Sequence, residues 1–175
     1  MVRRNLRNAR FGCIVQRHNT SRRYSMLKKT IMLVMFAALS TMAIAAQAKT
    51  VEIEAKNSLK FSQESITVKP GEEVTIKLVN NSKLPASAMA HNWILLKADA
   101  DARKLDEAAA SAKANDYVPS DMSDQIIAHT GLVAGGESDT VTFTAPEEPG
   151  DYEYICTFPG HFAAGMKGTL TVKAE

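Results

Sequence analysis

The stretch Cys156-Thr-Phe-Pro-Gly-His161-Phe-Ala-Ala-Gly-Met166 places a thiol, an imidazole and a thioether within eleven residues, around a Pro159-Gly160 turn. A second imidazole, His91, lies 65 residues upstream of the thiol. Soft sulfur and imidazole donors together suit copper in both of its oxidation states, and two His with one Cys and a weakly held Met is the ligand set of a blue-copper site. Cys156 at a strand end, His161 in a loop and Met166 at the start of the next strand can converge on one point. His91 has to arrive from a facing strand. Ligands held by two distant parts of a β-sandwich move little when the metal changes charge, which favours fast electron transfer.

The remaining reactive side chains read more simply. His129 lies in a strand pattern and is not counted among the metal ligands. Met89 and Met122 read as adaptable apolar filler, with a docking role for Met89 considered below. Trp93 follows His91 in an apolar run and reads as a core aromatic. The acids Glu147, Glu148, Asp151 and Glu153 read as a solvated face.

The elements that must position these donors are mostly strands. Val51, Ile53 and Ala55 alternate with polar residues, as do Ile66 and Val68, and then Val74, Ile76 and Leu78 after the Pro70-Gly71 turn. Further short runs follow at Trp93-Leu96, Ile126-Ala128, Val141-Phe143, Tyr152-Cys156 and Thr169-Val172. The expected fold is all-β, a Greek-key β-sandwich of about eight strands. The exception is Asp101 to Ala114, rich in Ala, Lys and Glu, which predicts one short helix lying as a flap on the sandwich.

Charge divides the chain unevenly. It has 175 residues with 21 Lys+Arg and 19 Asp+Glu, a formal charge of +2, but residues 1–48 hold nine of the basic residues and no acid. The rest therefore carries 12 − 19 = −7. A net acidic domain without a basic run excludes nucleic-acid binding as the leading class. The Lys28-Lys29 pair, the apolar stretch Ile31–Leu39 and the small-residue end Ala46-Gln47-Ala48 predict a secretory signal. Residues 1–48 are thus read as an N-terminal extension and removed signal peptide, with Met26 as the expected true start. Residues 49–175 form the single mature domain, exported and not membrane-spanning. That domain holds one cysteine, Cys156, so no internal disulfide is expected.

Met89-Ala-His91-Asn92-Trp93, Ile127-Ala-His129-Thr, CTFPGH and Met166-Lys-Gly-Thr-Leu together resemble the azurin and auracyanin branch of the cupredoxins, over nearly all of residues 50–173. The resemblance implies one type 1 copper per chain, held in a plane by His91, Cys156 and His161 with Met166 axial. The carbonyl of Ala90, where azurins carry glycine, would lie on the opposite axial side. By the same resemblance Asn92 would hydrogen-bond to the Cys156-Thr157 loop, and the Phe158 N–H would point at the Cys156 sulfur. The edge of His161, ringed by Leu84, Pro85, Ala88, Met89, Phe158, Phe162 and Ala163, would be the electron port. The resemblance further implies a periplasmic monomer that docks transiently with redox proteins such as c-type cytochromes or a copper-containing reductase or oxidase. The His161-to-Met166 spacing is one residue longer than in azurin and matches the auracyanin kind.

Competing functions fit the donors less well. A thiol hydrolase leaves Met166 and the second His unused, and the mature chain's three histidines are too few for the trinuclear cluster of a multicopper oxidase. Structural zinc takes four Cys or His ligands. A copper-holding or delivery protein uses the same ligands as an electron carrier and stands as the alternative.

Overall fold

The computed structural model describes residues 48–174. The reading of an extension and signal peptide, with Cys13 and His18, lies outside the described residues. Nine strands run through them: β1 (Lys49–Lys56), β2 (Lys60–Phe61), β3 (Ser65–Val68), β4 (Glu73–Asn80), β5 (Ile94–Leu96), β6 (Ile126–His129), β7 (Ser138–Thr144), β8 (Gly150–Ile155) and β9 (Lys167–Val172). They form a four-stranded sheet in the order β2-β1-β4-β7 and a five-stranded sheet in the order β3-β9-β8-β5-β6. The pairs β1–β4 and β3–β9 are parallel, and the others are antiparallel. The strand beyond the expected eight is β2, two residues long and without room for an alternating pattern. Among the described residues no helix is long and apolar enough to cross a membrane.

Period-two alternation decides which side chains enter the sandwich. Ile53 and Ala55 on β1, Val74, Ile76 and Leu78 on β4, Ile66 and Val68 on β3, Leu170 and Val172 on β9, and Tyr152 and Tyr154 on β8 are all buried in one core. In β5 every residue is buried, because the strand is covered on both faces. Leu95 and Trp93 point into the sandwich, while Ile94 and Leu96 point out, with Ile155, onto Leu105. Leu105 sits on the helix α2 (Ala102–Ala109), which follows the one-turn helix α1 (Ala86–Met89) and which Asp101 caps by accepting from the N–H groups of Arg103 and Lys104. The helix is shorter than expected, since the chain turns at Ala110 and continues as a 3-10 turn, Lys113–Asn115. It is also more than a flap: Ala102, Leu105 and Ala109 are buried, and Ala102 and Leu105 give the outer face of β5 its cover.

At one edge the connection from β2 to β3 is tied to the five-stranded sheet. The Tyr154 hydroxyl donates to the Gln63 carbonyl (2.6 Å), and the Thr169 N–H donates to the Glu64 carbonyl (2.9 Å). The Tyr154 ring reaches that corner by lying over Gly168, where an added Cβ would sit 2.3 Å from the ring.

Gly168→Ala therefore overpacks the core and is expected to cost about 1–3 kcal/mol. In a Tyr154→Ala background, which removes the obstructing ring, the same substitution should cost markedly less. Urea unfolding of the four proteins of this double-mutant cycle measures the coupling, and additive costs would contradict this packing.

Candidate metal centre

Three of the donors arrive by continuing inward alternations. On β8 the buried series Tyr152, Tyr154 extends to Cys156, and on β9 the series Val172, Leu170, Gly168 extends back to Met166. The register of these two strands pairs Ile155 with Lys167, and the next pair is closed by the Cys156 N–H donating to the Met166 carbonyl (3.1 Å). On the third segment Leu95 and Trp93 lead to His91. Its backbone exchanges hydrogen bonds with Val133, 3.1 Å from N–H to carbonyl and 2.7 Å in return. His161 comes from the loop. Gly160, at φ +84°, takes the left-handed turn that returns the chain, and the His161 N–H then donates to the Phe158 carbonyl (3.0 Å).

The donors meet in one buried place. The Cys156 Sγ lies 3.5 Å from His161 Nδ1 and 3.9 Å from His91 Nδ1, and all three donor atoms lie within 4.8 Å of one another. Cys156 and His91 are fully buried, and His161 is 4% exposed. A metal with a sulfur bond of about 2.3 Å and a nitrogen bond of about 2.0 Å at trigonal angles separates those two donors by about 3.8 Å. The observed sulfur–nitrogen distances bracket that value, so the residues fit one ion. Met166 is fully buried, and its N–H donates to the His161 carbonyl (3.0 Å).

Neighbouring groups hold the donors in place. Asn92 and Thr157 clasp the two ligand-bearing segments: the Thr157 N–H donates to Asn92 Oδ1 (2.9 Å), and Asn92 Nδ2 donates to Thr157 Oγ1 (2.9 Å). Thr157 Oγ1 in turn donates to the Tyr117 carbonyl (2.7 Å), and Asn92 Nδ2 also donates to the Asp116 carbonyl (2.9 Å). Asp116 and Tyr117 both have positive φ, +52° and +60°. Such residues cost about 1–3 kcal/mol each, and the clasp offsets that strain with one buried and one partly buried hydrogen bond. The backbone N–H groups of Asn92 and Phe158 act on the Cys156 sulfur to favour its thiolate. Ala90 is fully buried directly before His91.

The sequence reading missed three of these supports. Asn80, read as the polar end of a strand, is fully buried and donates to the carbonyls of Met89 (2.8 Å) and Val133 (3.0 Å) while accepting from the Ser82 N–H, so it fixes the segment that leads into His91. The Asp116-Tyr117 turn and the Asn92 N–H carried no motif signal at all. The rim also differs from the expectation. Phe158 is buried, meeting Tyr117 edge to face (5.4 Å between centroids) and lying tilted against His161 (4.7 Å). Leu84, Pro85, Ala88 and Ala163 are exposed, and Met89 and Phe162 are half-buried. His129 is exposed and Trp93 fully buried, stacked at 5.5 Å on Tyr154.

Burial dominates the electrostatics. It lowers His91 to about 4, helped by the facing His161, and also lowers His161. It raises the Cys156 thiol to about 12, outweighing the two N–H groups that favour the thiolate. The metal-free site is therefore neutral, two imidazoles and a thiol, and a metal has to displace the thiol proton.

A thiol and two imidazoles enclosed at one end of a β-sandwich define a protein built to hold a single soft metal ion. The chain belongs to the plastocyanin/azurin family of copper binding proteins, whose family model matches residues 47–173. It is 38% identical over 151 residues to the azurin of Pseudomonas aeruginosa, covering 85% of this chain and all of that one. It is 41% identical over 127 residues to auracyanin-B of Chloroflexus aurantiacus, covering 71% of this chain and 52% of the longer relative. Among solved structures it is similar to auracyanin A, described as a "blue" copper protein of Chloroflexus aurantiacus, with a TM-score of 0.64 and 44% identity over 71% of this chain and 98% of that one. Copper is the cofactor of this chain, and His91, Cys156 and His161 are positioned to bind one ion.

The buried neutral donors make copper-free stability depend on pH from both sides. An unfolded chain takes protons on its histidines below about 6.5, which folded His91 resists down to about 4, so stability falls as pH drops through that window. The unfolded chain releases the Cys156 proton above about 9, which the folded chain retains to about 12, so stability falls again on the alkaline side. Urea midpoints of the copper-free protein between pH 4 and 10 should trace a dome. His91→Gln should flatten its acid limb, and an unaltered acid limb in that variant would contradict the assignment.

Proposed function

We propose that this protein is a one-electron carrier, exported to the periplasm, in which His91, Cys156 and His161 would hold the copper, with Met166 and the Ala90 carbonyl as weaker contacts. Copper bound there supplies a centre that alternates between Cu(I) and Cu(II). The observation that carries the reading is the buried thiol set 3.5 and 3.9 Å from two imidazoles in a framework with its own hydrogen bonds. Donors fixed before the metal arrives need not move when its charge changes by one, so reorganisation is small. On binding copper Cys156 would release its proton to solvent, and the backbone N–H groups of Asn92 and Phe158 favour the resulting thiolate. Asn92 and Thr157 keep His91 and Cys156 in register, and the buried surroundings keep water from the sulfur.

The electron leaves and enters at the His161 edge. Leu84, 47% exposed, with Ala88, Met89, Phe162 and Ala163 makes an apolar rim suited to brief docking on a small interface with redox proteins such as c-type cytochromes or copper-containing reductases and oxidases. No substrate is turned over in this reading.

Voltammetry of the copper-loaded protein tests it. A reversible one-electron couple with rapid self-exchange is the expected result. Copper handed to an acceptor protein without such a couple would replace electron transport with metal delivery. Leu84→Asp should leave the visible spectrum unchanged and slow electron transfer to cytochrome c by about tenfold in stopped-flow mixing. An unchanged rate would remove Leu84 from the docking face.

A further inference from the structure

We propose that Lys60 is a positioning residue for the metal centre, its ammonium latching the Gly165 carbonyl and so holding the loop between His161 and Met166 while setting a fixed positive charge beside it. The inference deepens the electron-carrier reading and rests on it. Lys60 opens β2, on the sheet opposite the one that β9 belongs to, and its Nζ donates to the Gly165 carbonyl at 2.8 Å across 105 residues of sequence. The bond is partly buried. The contact is shaped from both sides. Gly165, at φ +88°, adopts a backbone that side chains disfavour, and a Cβ there would lie 2.8 Å from the Lys60 Nζ. The ammonium thus occupies the room that the missing side chain leaves.

The loop it grips has little else to fix it against the other sheet. Its internal bonds run from the Ala164 N–H to the Gly160 carbonyl, from the Gly165 N–H to the Phe162 carbonyl and from the Met166 N–H to the His161 carbonyl, and the Gly165 carbonyl, besides the ammonium, accepts from the Lys167 N–H (3.1 Å). These shape the loop without tying it to the opposite sheet. Gly165 directly precedes Met166, so a tether on its carbonyl constrains where the thioether can sit. Among the described residues Lys60 makes no ion pair with a carboxylate, whereas Lys77, Lys104 and Lys167 do. Its charge is therefore not directly paired with an acid. A positive charge near the centre favours the metal state of lower charge, so Lys60 holds the reduction potential up.

Lys60→Met keeps an unbranched stem and removes both the donor and the charge. Two readouts on the full chain decide the matter. In the copper-free protein, amide exchange at Gly165 and Met166 should quicken by about tenfold, as expected for the loss of one charge-assisted hydrogen bond. Exchange in β4 and β7 should stay unchanged, showing that the fold is intact. In the copper-loaded protein the potential should fall by the equivalent of a several-fold change in the Cu(I) to Cu(II) ratio, at most tenfold, which is about 59 mV for one electron. Lys97→Met, the same loss of charge beyond the far end of β5, should leave both readouts where they are. Unchanged exchange at Gly165 and Met166 in Lys60→Met overturns the latch. So does a potential that stays put, or one that falls equally in Lys97→Met. A wild-type protein with no reversible copper couple would instead overturn the functional reading, and the exchange measurement, which needs no copper, would then decide the latch alone.

Discussion

His91 and Cys156 lie 65 residues apart, and the clasp between Asn92 and Thr157 joins their backbones at the one place where their side chains meet. Each partner of the clasp is adjacent to a ligand, so a shift of either segment by a single residue would both break two buried hydrogen bonds and separate the thiol from the imidazole. Buried polar groups left without partners cost about 1–3 kcal/mol each, which is what makes the arrangement all-or-none. The rest of the end of the sandwich is organised around satisfying that clasp. The Asp116-Tyr117 turn spends two left-handed residues to present its carbonyls to Asn92 and Thr157, and α2 anchors the insertion that delivers this turn.

Burial gives the site its chemical character. In water a thiol beside two imidazoles exchanges protons readily, but here desolvation holds His91 neutral to about pH 4 and keeps the thiol protonated to about 12. The protein therefore stores a neutral, preformed set of soft donors, and the free energy of metal binding offsets the loss of one proton rather than the ordering of a loop. The His91 Nε2 is buried with no hydrogen-bond partner among the described residues, so the ring is oriented by packing and by its backbone bridge to Val133.

Much of this was legible in the sequence because the governing patterns are local. Alternation marked the long strands, and the same alternation, extended by one or two residues, carries Cys156, Met166 and His91 inward. The donor types and the Pro159-Gly160 turn pointed to copper chemistry without any knowledge of the sheets. What stayed hidden depends on contacts between distant segments. β2 is too short for a period and exists because Phe61 fills the core beside Tyr154. Asn80 looks like any polar residue ending a strand until the fold sets it against Met89 and Val133. The helix was expected to lie loosely because its apolar residues are mostly Ala, yet one Leu105 placed over Ile94, Leu96 and Ile155 is enough to seat it.

An electron-transfer centre at this site depends on the buried Cys156 thiolate as a copper ligand. The most direct measurement is the visible and electron paramagnetic resonance spectrum of the Cu(II)-loaded protein beside that of Cys156→Ala, loaded identically. An intense blue sulfur-to-copper charge-transfer band with narrow copper hyperfine splitting, lost in the variant, is the predicted result. A colourless protein, or a copper signal that is the same with and without Cys156, would contradict it.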